Sequence, residues 1–146
     1  MGIKLGSLLE TRPIKIEELS NQKVAIDGYN ILYQFLSSIR QADGTLLTDS
    51  EGRVTSHLSG LFFRLSNLIE NGIKPCIIFD GKPPELKKKL LEVRRLRKIK
   101  AEIEWEAAMA AGDTETARTK AQQTTRLDKG MLVDSKKLLD LLGIPW

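Results

Sequence analysis

A single cysteine, Cys76, and a single histidine, His57, leave this sequence with no means of closing an internal disulfide or building a Cys/His zinc cluster. Cys76 lies within an apolar segment and reads as a small buried hydrophobe in a reducing compartment. His57 falls in a helical pattern, where a packing or surface role outweighs a catalytic one. Long apolar runs are also missing: none approaches the roughly 18 to 20 residues that a membrane-spanning helix needs. The N-terminus lacks the charged-then-apolar form of a signal peptide. Met1-Gly2 opens like a myristoylation site, but position 6 is Gly6 where that pattern wants Ser or Thr. The expectation is a soluble, intracellular protein without membrane contact.

What is present is charge, unevenly spread. The chain carries 23 basic and 19 acidic residues, net +4. Lys87 to Lys100 alone holds eight basic residues against Glu92, a net of +7, so the rest sums to −3. That is a localised anion-binding device, not a uniformly basic surface. At 100° per residue, Lys87, Arg94 and Lys98 fall within about 40° on a helical wheel, with Lys87 and Arg94 about 10.5 Å apart along the axis.

With 41% hydrophobic residues in 146, the chain is large enough for one domain with a real core. Two short apolar segments share one grammar. Val24-Ala25-Ile26-Asp27-Gly28 and Pro75-Cys76-Ile77-Ile78-Phe79-Asp80-Gly81 each end in an aspartate and a glycine. Both read as buried strands with helices between them, and hence as neighbours in a parallel α/β sheet. Ligands of such sheets bind outside the carboxyl ends of the strands, which makes Asp27 and Asp80 candidate metal ligands facing one cleft. The competing reading is turn chemistry, with Asp27 capping the following helix.

Around these strands, Leu5, Leu8 and Leu9 and then Ile14, Ile16 and Leu19 form two short segments at near-helical spacing. Ile31, Leu32, Phe35, Leu36 and Ile39 repeat as an amphipathic helix that places Tyr33 and Arg40 together off its apolar stripe, a candidate base-stacking and phosphate-binding pair. The turn residues of 41–44 and 49–52 suggest a small hairpin or a lid. A helix capped by Thr55 or Ser56 runs to Ile69 and stops at Asn71-Gly72. Glu85 to Ala111 is a long helix by propensity, Thr114 to Lys129 a second, and Met131 to Leu142 a third. Gly143-Ile144-Pro145-Trp146 then leads into another strand.

Acids and cations together suit phosphodiester hydrolysis. Carboxylate-held Mg²⁺ generates hydroxide and neutralises charge, while Lys and Arg stabilise what develops on the phosphate. Two aspartates are few for a two-metal site, so further acids are expected beyond Trp146. A phosphatase of the haloacid dehalogenase type would want a second Asp two residues after Asp80, where the chain has Lys82.

Longer strings carry a resemblance. Met1-Gly2-Ile3, Val24-Ala25-Ile26-Asp27, Leu32-Tyr33-Gln34-Phe35-Leu36, Arg40-Gln41 and Thr55-Ser56-His57-Leu58 form the first part of it. Glu70-Asn71-Gly72-Ile73-Lys74-Pro75, Phe79-Asp80-Gly81-Lys82-Pro83-Pro84-Glu85-Leu86-Lys87 and Leu142-Gly143-Ile144-Pro145 complete it. Together they closely resemble flap endonucleases of the XPG family, archaeal branch. The resemblance implies a PIN-like, parallel-sheet α/β 5′ nuclease core with a basic helical cap, its sheet incomplete within this chain. It divides the chain into an N-terminal nuclease region at 1–98, a cap or linker at 99–115, and the start of the internal nuclease region at 116–146. The implied activity is Mg²⁺-dependent cleavage of 5′ flaps at single-strand to double-strand junctions in replication and repair, with two ions in the complete site.

By the same resemblance Asp27 and Asp80 match metal ligands, Lys87 and Arg94 the basic pair on the scissile phosphate, and Tyr33 an aromatic that stacks on a nucleotide. Arg40 and Arg64 match DNA contacts, Lys98 joins them from the wheel, and Gly2 sits at an N-terminus near the cleft. The implied partners are branched or 5′-flap DNA and the sliding clamp (PCNA), and the implied location is the cytoplasm of an archaeon or the nucleus of a eukaryote. The family's acidic loop, further strand-end aspartates, duplex-binding helical motif and clamp-binding peptide have no counterpart in these 146 residues. The alternative is a noncatalytic relative that binds branched DNA through the basic helix.

Overall fold

The computed structural model describes residues 12–81 and 88–146. Two five-residue strands, β1 (Lys23–Asp27) and β2 (Lys74–Ile78), pair in parallel with Lys23 opposite Lys74 and Asp27 opposite Ile78. Between them come α1 (Gly28–Ser38) and α2 (Ser56–Glu70), and after them α3 (Lys88–Ala110), α4 (Thr114–Gln123) and α5 (Lys129–Leu141). A 3-10 turn at Ile16–Leu19 precedes β1 and contains no buried residue, while Leu5, Leu8 and Leu9 lie outside the described residues.

The apolar periodicities become the core. Ile31, Leu32 and Phe35 of α1 meet Leu61 and Leu65 of α2, Ile77 of β2, Leu139 of α5 and Ile144. Gly60 lets the first two helices come close: a Cβ there would run into the Phe35 ring and the Ile39 side chain. Asn71 and Gly72 (φ +74°) end α2 as expected, the positive φ being one that glycine adopts at little cost. His57, fully buried, faces α5, so it packs as the sequence suggested.

Two boundaries differ from expectation. Helix α1 stops at Ser38 because Ile39 turns extended (φ −93°, ψ 92°) and packs towards Gly60, which carries Arg40 off the helix. Arg40 and Tyr33 therefore do not share a helical face, and Arg40 is half-buried, not exposed. Helix α4 ends six residues before the expected Lys129. There the hydroxyls of Thr124 and Thr125 donate to the Ala121 and Gln122 carbonyls, competing with the helix, and Asp128 starts α5 by capping Met131 N–H at 2.8 Å. The expected start of α3 at Glu85 lies outside the described residues.

Residues 41–54 form tight, hydrogen-bonded turns. Antiparallel bridges join Arg40 to Leu46 and Thr48 to Val54, and Ser56 Oγ accepts from Leu47 N–H at 2.8 Å. That is the hairpin alternative. At the C-terminal end, Ile77 N–H donates to the Pro145 carbonyl at 2.9 Å, so the segment after α5 runs against β2 as the expected further strand would.

The pair α3 and α4 packs by a different means. Ala101 and Ala108 of α3 and Ala117 and Ala121 of α4 are buried, and ion pairs Lys120–Glu104 and Arg126–Glu102, both 2.5 Å, tie α3 to α4 and to the turn beyond it. The Lys120 ammonium lowers the Glu104 pKa from its ordinary value.

Candidate metal site and nucleic-acid interface

Asp27 and Asp80 stand where the sequence placed them. Asp27 is the last residue of β1, and Asp80 follows the end of β2, whose Ile78 is opposite Asp27. Both carboxylates are exposed at the same edge of the parallel pair. Asp27 also does what the plainer reading required, accepting from Asn30 N–H through Oδ1 at 2.9 Å to cap α1. Capping leaves Oδ2 for a ligand, so the two roles coexist. Among the described residues neither aspartate has an ion-pair partner.

Two exposed carboxylates are hard oxygen donors of the kind Mg²⁺ takes. Among the described residues, however, no group of three or more His, Cys, Asp or Glu side chains converges. The donor set therefore fits one side of a divalent-cation site and is incomplete for a pair of ions.

An aromatic cluster lies directly behind the aspartates, and no sequence pattern announced it. Phe79 meets Tyr29 edge-on (centroids 5.6 Å, 84°) and Trp146 (6.2 Å, 74°). The Lys136 ammonium lies 3.9 Å from the Trp146 ring centre and 5.3 Å from that of Phe79, and the Trp146 indole N–H donates to Asp140 at 2.8 Å.

The cations divide into those visible and those not. Lys87 lies outside the described residues, as does Gly2; Arg94 is in α3, with nothing described of its side chain. Lys98 donates to the Thr125 carbonyl at 2.8 Å and sits 4.9 Å from the centre of the half-exposed Tyr33 ring. Arg40 donates through one terminal nitrogen to the Gly44 carbonyl (2.7 Å) and through the other to Thr125 Oγ1 (2.9 Å). Its Nε is buried with no hydrogen-bond partner among the described residues, and burial lowers the Arg40 pKa from the ordinary value. Arg64 is exposed on α2, beside a groove of about 340 Å³ lined by Gln34, Ser38, Phe63 and Asn67.

Thr125 thus joins three elements. It takes Lys98 of α3 on its carbonyl and Arg40 on its hydroxyl, with Ser37 of α1 at 3.4 Å. A threonine 85 residues from Arg40 carries no sequence signal for such a role.

The XPG N-terminal domain model matches residues 1–101, more than two thirds of the sequence. The chain belongs to this family. Among curated relatives of this XPG-family chain, the Flap endonuclease 1 of Pyrococcus abyssi is 55% identical over 145 residues, 99% of this chain and 42% of the relative. The Flap endonuclease 1 of Methanosarcina acetivorans is 51% identical over 146 residues, 100% of this chain and 43% of the relative. The chain thus spans less than half the length of the curated relatives it matches.

Solved structures agree on the fold. The flap endonuclease-1 from Methanococcus jannaschii superposes with a TM-score of 0.64 at 43% identity, over 98% of this chain and 45% of that one. The catalytic core of Rad2 in complex with DNA substrate superposes with a TM-score of 0.60 at 27% identity, over 92% and 33%. The α/β nuclease fold and the resemblance read from the sequence are both borne out.

Proposed function

We propose that this chain forms the N-terminal part of a Mg²⁺-dependent, structure-specific 5′ flap endonuclease acting in DNA replication and repair. The observation that carries the reading is the placement of Asp27 and Asp80 at the ends of neighbouring parallel strands, in a chain whose next helix is strongly basic. The names and folds of the relatives support it.

Asp27 and Asp80 hold a divalent cation, with further carboxylates of the complete enzyme adding a second. When bound, such ions supply a hydroxide nucleophile and offset phosphate charge. Lys87 and Arg94 bear on the scissile phosphate. Tyr33 offers a stacking face for a base, while Arg64, Lys98 and Arg40 contact the backbone, the last two by leaving Thr125. The regions 1–98, 99–115 and 116–146 serve as nuclease segment, cap and start of the internal segment. In the whole protein the substrate is branched or 5′-flap DNA and the partner a sliding clamp (PCNA), in the cytoplasm of an archaeon.

A noncatalytic DNA-binding relative is favoured by one observation, the absence of a third converging carboxylate among the described residues. Single-turnover cleavage of a 5′-flap DNA separates the two. The enzyme tested is this chain joined to the remainder of the Pyrococcus abyssi relative, with and without Asp80→Ala. Mg²⁺-dependent cleavage that disappears in the variant, with DNA affinity within about twofold of the parent, is the expected result. Equal cleavage by both proteins would remove Asp80 from the metal site, and no cleavage by either would favour the binder.

A further inference from the structure

The two candidate metal ligands are connected through their immediate chain neighbours. Asp27 is followed by Gly28 and Asp80 is preceded by Phe79, and these two neighbours touch. A Cβ built on Gly28 would lie 2.5 Å from Phe79 Cε1, 2.7 Å from Phe79 Cδ1 and 2.9 Å from Ile77 Cγ2. All are closer than side-chain carbons approach, so only glycine admits the ring. Strand pairing ends at Asp27 opposite Ile78, and Asp80 lies two residues past that point. The ladder therefore does not hold Asp80 in place. What lies between the last paired residue and the carboxylate is Phe79, with Tyr29 on one side and Trp146 and Lys136 on another.

We propose that Phe79, seated against Gly28, is a positioning residue that sets the spacing of the Asp27 and Asp80 carboxylates. The inference rests on the reading that these two aspartates hold a divalent cation. Metal ligands work only when held to within about 0.5 Å, and supports of this kind change metal affinity about 10- to 100-fold when lost. The contact also gives the two Asp-Gly endings different duties. Gly28 is required by close approach, whereas among the described residues nothing comes within 4 Å of the Gly81 Cβ position.

The test uses the 146-residue chain and Mn²⁺ as probe, with free Mn²⁺ followed by electron paramagnetic resonance. Parent, Asp80→Asn, Gly28→Ala, Phe79→Val and the double variant Gly28→Ala/Phe79→Val are compared at a temperature where circular dichroism shows each folded. Gly28→Ala is expected to weaken Mn²⁺ binding about 10-fold or more and Phe79→Val by a smaller factor. The double variant should bind more tightly than Gly28→Ala alone, because removing the ring opens the space that the added methyl group needs. A purely structural contact would instead lower the melting temperature without this pattern in affinity.

Gly28→Ala within about twofold of the parent, or losses that simply add in the double variant, would overturn the proposal while leaving the cation site standing. If Gly28→Ala does not fold, Phe79→Val decides alone, and parental Mn²⁺ affinity there overturns it. Mn²⁺ binding unchanged by Asp80→Asn would be a different failure, refuting the cation site itself and the positioning role with it.

Discussion

The two halves of this molecule are held together by different chemistry. In one, α1, α2, α5 and β2 close over Leu32, Leu61, Leu65, Ile77 and Leu139, each essentially inaccessible to solvent. In the other, α3 and α4 bury four alanines and are tied by ion pairs, while Leu96 and Ile103 remain more than half exposed. Large interlocking side chains fix positions to fractions of an ångström, whereas small ones permit close approach with little to resist sliding. Asp27 and Asp80 belong to the first region together with Arg40 and Arg64, and the basic stretch of α3 belongs to the second. The edge carrying Asp27 and Asp80 is thereby paired with a basic helix packed through smaller side chains, and Thr125 links that helix to Arg40 beside α1.

Removing one side-chain contact from each kind of joint should expose that contrast. Leu65→Ala is expected to cost about 2 to 5 kcal/mol of global stability, seen as a fall in the denaturation midpoint. Thr125→Val keeps the shape but removes the acceptor for the Arg40 guanidinium, at about 1 to 3 kcal/mol. Its effect should be local, with faster amide exchange in α3 and α4 and little change in α1 and α2. Uniform acceleration across all five helices would make the two regions one cooperative unit and dissolve the comparison.

A smaller effect concerns pH and belongs to the apolar half. His57 is buried against α5, and burial holds its pKa below the ordinary value despite Asp134, Asp128 and the Met131 backbone nearby. Because the unfolded chain takes up the proton first, the contribution of the neutral ring is complete above about pH 6.5 and declines as pH falls below it. Melting temperatures between pH 7.5 and pH 5 should therefore fall more for the parent than for His57→Gln. Parallel profiles would mean that His57 is not protonation-limited.

What could be read in the sequence follows from the same division. Strands that end in Asp-Gly and helices with a 3.6-residue apolar stripe declare themselves, because burial of large side chains is what periodicity records. The edge carrying Asp27 and Asp80 was legible for that reason. The seat of Arg40 was not: the stripe runs on to Ile39, and only its packing towards Gly60, 21 residues away, shows why the helix stops short. The Thr125 junction and the Phe79 cluster depend on residues brought together from distant parts of the chain, including Lys136 and Trp146. No local pattern encodes them. The burial of alanines on α3 and α4 is equally silent, since alanine suits a helix whether buried or exposed.

Whether the basic arm acts on the reacting phosphate or only holds DNA is the question on which the nuclease reading turns. Single-turnover cleavage of a 5′-flap DNA at saturating enzyme decides it, with Lys87→Ala and Arg94→Ala introduced separately into the chimeric protein described above. A preorganised cation aimed at transition-state charge is worth about 10² to 10³ in rate with little loss of ground-state affinity, and that is the outcome expected for both, larger for Lys87. Rates within about threefold of the parent alongside weakened, salt-sensitive binding would contradict it and reduce the helix to a docking surface.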